Sequence, residues 1–80
     1  MSDYVATFHT HLSALMTHRN LTQTGVAVRM MPVFRTLSSS CGTCVVYSAD
    51  GPCLEQMDED VEAVYKITGE EKFRLLFQNE

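Results

Sequence analysis

The sequence predicts an α+β fold, a two-layer sandwich in which an antiparallel sheet carries its helices on one face. Three observations predict it. The chain has 80 residues, enough for one domain and one small core. Short β-branched and aromatic runs recur at residues 4–8, 26–31, 43–48 and 61–67. Stretches without that alternation separate the first run from the second and the third from the fourth, and both have helical character.

Each element has its own signal. Residues 4–8, Tyr-Val-Ala-Thr-Phe, read as the first strand. Thr10 follows as a helix N-cap. Over residues 11–24, Leu12, Leu15 and Met16 fall on one side, and Ala14, His18 and Leu21 form an adjacent row. Gly25 supplies the stop. The helix is rich in threonine, so packing rather than propensity must hold it. Residues 26–31 place Val26, Val28 and Met30 on one face and Arg29 on the other, so the valine face is read as buried. Pro32 ends that strand, and residues 33–40 form a loop closing in three serines. Residues 43–48 are the third strand, and Asp50-Gly51-Pro52 is a turn. Residues 53–59 read as a short helix. Residues 61–67 put Val61, Ala63, Tyr65 and Ile67 on one face. Residues 72–78 read as a fifth strand with Phe73, Leu75 and Phe77 together, a final helix being the alternative. The order β-α-β-β-α-β is the split βαβ of ferredoxin-like folds, here with one extra C-terminal strand. Residues 1–80 form a single domain with two helices on one sheet face, the other face being bare to solvent or a partner.

Charge narrows the function. The net charge is −4. Residues 1–41 hold three arginines against Asp3, whereas residues 42–80 hold three cations against nine acids. Six cations spread over the chain do not make the dense basic face that nucleic acid requires. No run approaches the ~18 apolar residues of a membrane span, and Met1-Ser2-Asp3 opens no secretory signal. The expectation is a cytoplasmic protein with no nucleic-acid or membrane partner. The acids Asp58, Glu59, Asp60 and Glu62 read as a solvated face, a docking patch for a basic partner being the alternative. Three cysteines are an odd number, so a full disulfide scaffold is excluded. In a reducing compartment a close Cys pair points to redox, metal or sulfur chemistry.

The chain runs Pro32-Val33-Phe34-Arg35, then Leu37-Ser38-Ser39-Ser40-Cys41-Gly42. With the strand and helix before it, this block resembles a family of small sulfur or selenium carrier-like proteins, over roughly residues 4–67. The resemblance carries over Arg35, Ser38, Ser39, Ser40, Cys41 and Gly42. It departs at Phe34, where many members have a second proline, at the shorter second helix, and at Cys44, where a small apolar residue is usual. It implies a carrier, more than a stand-alone enzyme, that accepts sulfur or selenium on Cys41 from a donor protein and passes it to an acceptor, without metal or other cofactor.

The residues suit that chemistry. A thiolate is the nucleophile that accepts a sulfur atom, and positive charge or N–H donors favour it. Arg35 is the nearest cation in sequence. Serines and Gly42 allow successive N–H groups to turn towards one atom as an anion-binding nest. Cys44 has the spacing of a resolving partner for Cys41. In an extended strand, however, residues three apart lie ~10 Å apart and on opposite faces, beyond the ~7 Å Cα limit of a disulfide. A small buried residue is the plainer reading. Cys53, after Pro52, has a cap-like place, with packing again the plainer reading. A zinc site would need Cys41, Cys44 and Cys53 joined by His9, His11 or His18 through the fold. No second Cys pair supports it, and His18 reads as a helix-face residue packed at the sheet. Two alternatives to the carrier stay open: a small homo-oligomeric binding or assembly module of unknown ligand, for which a homodimer is one form, and a Cys41–Cys44 thiol switch.

Overall fold

The computed structural model describes residues 1–79. The elements are β1 (Ser2–Phe8), α1 (His11–Gln23), β2 (Ala27–Pro32), β3 (Thr43–Ala49), a single 3-10 turn at Leu54–Gln56, β4 (Val61–Gly69) and β5 (Lys72–Gln78). The strands form one antiparallel sheet in the order β2-β3-β1-β4-β5. β1 takes the centre because it is apolar on both faces: Tyr4, Val5, Ala6, Thr7 and Phe8 are all buried. Residues 72–78 are the extra C-terminal strand, not a helix.

α1 is held as its sequence requires. Thr10 accepts from the Ser13 amide at 3.1 Å, and Gly25 follows the last turn at φ +83°. The buried row is small except at its end: Ser13, Ala14 and Thr17, then Leu21, face the sheet. Small side chains let the helix lie close over β1, β2 and β3. Leu12, Leu15 and Met16 therefore face outward, Leu12 being 67% exposed. Beneath the helix, Tyr4, Ala6, Phe8, Val45, Tyr47, Val61 and Val64 form the core, with the Tyr4 and Tyr47 rings stacked at 5.4 Å.

The helix count and the bare sheet face need correction. The fold has one helix, so the two-helix ferredoxin-like arrangement is not formed. Residues 53–59 hold only two large apolar side chains, too few to hold a helix shorter than the ~12–15 residues at which isolated helices become marginal. α1 satisfies their backbone instead: Asn20 Nδ2 donates to the Gln56 carbonyl at 3.1 Å, and the Asp58 amide donates to Thr17 Oγ1 at 3.0 Å. Nor is the second sheet face bare. Val5, Thr7, Cys44 and Ala63 lie on it and are buried. The loop after β2 roofs them. Phe34 reaches Phe73 of the opposite edge strand, ring centroids 5.2 Å apart, and Phe73 meets Tyr65 at 6.3 Å.

β4 also breaks its predicted alternation. Phe8 pairs with Val61 while Thr7 pairs with Ala63, so Glu62 is the extra residue of a β-bulge. Val61 and Val64 therefore face the helix side, and Ala63, Tyr65 and Ile67 the other. A second irregularity, where Val64 pairs with Phe77 but Tyr65 with Leu75, separates Phe77 from Phe73 and Leu75.

Candidate functional site around Cys41

The loop from β2 to β3 is built from two turns. The Leu37 amide donates to the Phe34 carbonyl at 3.0 Å, and the Gly42 amide donates to the Ser39 carbonyl at 3.1 Å. Gly42 stands at φ +73°, a left-handed conformation that glycine adopts without a Cβ penalty. Its carbonyl then accepts from Val33 at 3.1 Å, which returns the chain to the sheet. Ser39-Ser40-Cys41-Gly42 is thus a tight turn at the mouth of the β2–β3 ladder.

Two side-chain anchors hold this turn. The β1–β3 ladder ends at Thr7 and Cys44, which leaves the backbone of Phe8 without a partner on that side. Ser39 takes the place of the missing strand: its hydroxyl donates to the Phe8 carbonyl at 2.8 Å and accepts from the Phe8 amide at 3.4 Å. On the other side, the bulge aims Glu62 at the loop. Its Oε1 accepts from the Ser40 amide at 2.8 Å and its Oε2 from the Ser40 hydroxyl at 3.0 Å. His9 Nδ1 lies 3.6 Å from the same Oε2.

Cys41 sits between the anchors, half-buried against the helix-side core. Its thiol donates to the Thr43 carbonyl at 3.5 Å and lies 3.5 Å from Ser39 Oγ. Only a protonated thiol can make the carbonyl contact, so the proton must leave before the sulfur acts as a nucleophile. The amides of the turn do not gather round the sulfur as a nest: that of Ser40 serves Glu62 and that of Gly42 serves Ser39. Arg35 and Ser38 are exposed, and neither makes an ion pair or side-chain hydrogen bond among the described residues. The fold therefore brings Ser39, Ser40, Cys41 and Gly42 together and leaves Arg35 and Ser38 outside the hydrogen-bonded cluster.

The other thiols are placed differently. Cys44 is fully buried on the opposite sheet face, its sulfur 3.7 Å from the Pro32 carbonyl. Burial pushes its thiol up from 9.0 to about 11; the Phe34 amide pulls it down somewhat, and Cys41 nearby adds to the rise. Cys53 has φ +53° at the start of the 3-10 turn. Burial, then Glu55, raises its thiol. All three cysteines are free, and among the described residues no three His, Cys, Asp or Glu side chains stand together as metal ligands.

Glu62 and His9 belong to the site, and sequence reading passed over them in this role. By sequence alone Glu62 reads as one of the solvated acids and His9 as part of the zinc alternative. No local signal marks the bulge: the adjacent apolar pair Ala63-Val64 fits any strand buried on both faces, as Val5-Ala6 in β1 does.

The arrangement presents a half-buried thiol, that of Cys41, on a turn pinned at both ends. No curated protein and no solved structure matches the chain. One family model does match, over residues 3–74, from β1 through the Cys41 loop and into β5. On that match the chain belongs to the family described as "Putative Se/S carrier protein-like".

Proposed function

We propose that this protein carries sulfur or selenium on Cys41 and delivers it to a partner protein. The observation that carries the reading is the contrast among the three thiols. Cys41 and Cys53 are both half-buried and each lies beside a backbone carbonyl, but only Cys41 stands in a turn fastened on both sides, by Ser39 and by Glu62, and Cys44 is buried. Membership of the family supports the cargo.

The chemistry needs no outside oxidant. Cys41 loses its proton, and its sulfur attacks the terminal sulfur of a donor persulfide. A new S–S bond forms at Cys41 as the donor S–S bond breaks, and the donor leaves as a thiolate that takes up the proton. Delivery repeats the exchange: an acceptor thiolate attacks the terminal sulfur and Cys41 is released as thiolate. Selenium would follow the same route on the same sulfur. In this reading Cys44 and Cys53 are packing residues, and donor and acceptor are proteins.

The test is a two-step transfer. The protein is loaded with radiolabelled sulfur by a cysteine desulfurase and cysteine, separated, and mixed with a thiol-bearing acceptor protein. Label should pass to the acceptor from wild type and from Cys44→Ala. Label that stays on the carrier, or that passes equally from Cys41→Ser, contradicts the relay.

A further inference from the structure

The single helix covers only part of its sheet face. α1 packs on β1, β2 and β3 and meets the 3-10 turn. The β4–β5 half, where the expected second helix would lie, holds an open groove instead. Leu54, Met57, Val61 and Phe77 give it apolar walls, and Asp58 and Glu59 form its rim. Leu54 is 41% and Phe77 36% exposed, large apolar side chains that the described residues leave partly uncovered. The volume, ≈ 200 Å³, falls below the ~300–1,000 Å³ usual for small-molecule sites and suits one or two inserted side chains.

Charge identifies what suits this groove. Glu55, Asp58, Glu59 and Asp60 fall on or beside it, and none of them makes an ion pair with a cation among the described residues. The groove is also firm. Asn79 Nδ2 donates to the carbonyls of Glu59 and Val61 at 3.0 Å each. It lies close to the working end of the molecule, because Val61 borders Glu62, whose carboxylate holds the Cys41 turn.

We propose that this groove docks the sulfur-exchanging partner protein through an apolar anchor side chain flanked by Lys or Arg. The apolar walls supply the burial and the acid rim supplies orientation and association rate. Val61 of the groove wall adjoins Glu62, so a partner docked there lies next to the residue whose carboxylate holds the Cys41 turn. The identity of the partner as a sulfur-exchanging protein rests on the carrier reading; the basic, apolar-anchored chemistry of the docking surface rests on the groove alone.

Two measurements separate these parts. Isotope-labelled protein is titrated with a peptide of alternating Leu and Lys and with its Leu–Glu counterpart, following amide shifts by NMR. The Leu–Lys peptide should shift Leu54, Met57 and Phe77, the Leu–Glu peptide should not, and the double variant Asp58→Lys with Glu59→Lys should abolish the response. Equal responses to both peptides, shifts centred on Leu12 and Leu15, self-association through the groove, or no effect of charge reversal would overturn the surface. In parallel, Cys41 is loaded from a cysteine desulfurase or from glutathione persulfide. The double variant should raise KM for the desulfurase about tenfold and leave loading from glutathione persulfide unchanged. An unchanged KM removes the groove's role in delivery. If wild type takes no sulfur from either source, the carrier reading falls while the peptide titration still decides the surface.

Discussion

The carboxylate of Glu62 holds both the amide and the hydroxyl of Ser40, at 2.8 and 3.0 Å, and so fastens the turn bearing Cys41 to the start of β4. The contact exists because a one-residue bulge adds Glu62 to the ladder opposite Phe8. Removing it should loosen the turn more than the domain. Glu62→Ala should accelerate hydrogen exchange at the Ser40 amide while costing only about 1 kcal/mol of global stability, since the pair is partly solvated. Glu62→Gln keeps an acceptor for the amide and should fall between. Identical Ser40 exchange in wild type and Glu62→Ala would show that the carboxylate does not hold the turn.

Ser39 extends the central strand's hydrogen bonding by one residue. Ser39→Ala strips both backbone groups of Phe8 of their partner and should cost about 1–3 kcal/mol in urea unfolding. Ser38 is exposed, and Ser38→Ala should change stability by less than about 0.5 kcal/mol. Equal midpoints for the two variants would remove Ser39 from the ladder.

Gly42 tests the turn's backbone. A Cβ built there meets nothing within 4 Å, so only the left-handed conformation at φ +73° opposes a side chain. Gly42→Ala should cost about 1 kcal/mol, and Gly42→Asn less. For a domain of this size that is a fall of roughly 4–8 °C in Tm for alanine. A Tm unchanged in Gly42→Ala would mean that the turn takes another form in solution.

Cys44 makes stability depend on alkaline pH. Its buried thiol holds its proton up to about 11, whereas an ordinary thiol releases it near 9.0. Between those values the folded chain binds more protons than the unfolded one, so stability falls as pH rises, and below that window this thiol adds no slope. The loss from this group amounts to at most about 2–3 kcal/mol. Cys53 and Tyr47, both raised chiefly by burial, act in the same direction. Urea midpoints of wild type and Cys44→Ala across pH 8 to 10.5 (a range chosen to span ~9) isolate the Cys44 share. A variant with the wild-type slope would put Cys44 in contact with solvent.

Sequence patterns reach as far as periodicity and local caps reach. Thr10, Gly25 and the apolar runs locate α1 and the strands because each signal acts within a few residues. Helix coverage was not legible in the same way. Whether residues 53–59 form a helix depends on Thr17 and Asn20, which arrive from α1 and satisfy that backbone. The roof over Val5 and Cys44 depends on Phe34 meeting Phe73, 39 positions away in sequence. At the site, the Ser-Ser-Ser-Cys-Gly block pointed to the turn through its residues and their resemblance. The parts set by tertiary contact, Glu62 on Ser40 and Ser39 on Phe8, follow from a bulge and a strand end that a strict alternation of two passes over.

The central claim is that Cys41, and neither Cys44 nor Cys53, receives the sulfur atom. The most direct measurement is intact mass followed by peptide mapping after incubation with a cysteine desulfurase and cysteine. One added sulfur, about 32 Da, reversible by reductant and mapped to Cys41, is the expected result. It should persist in Cys44→Ala and Cys53→Ala and vanish in Cys41→Ser. An adduct mapped to Cys44 or Cys53 in wild type, or one that survives in Cys41→Ser, would contradict it.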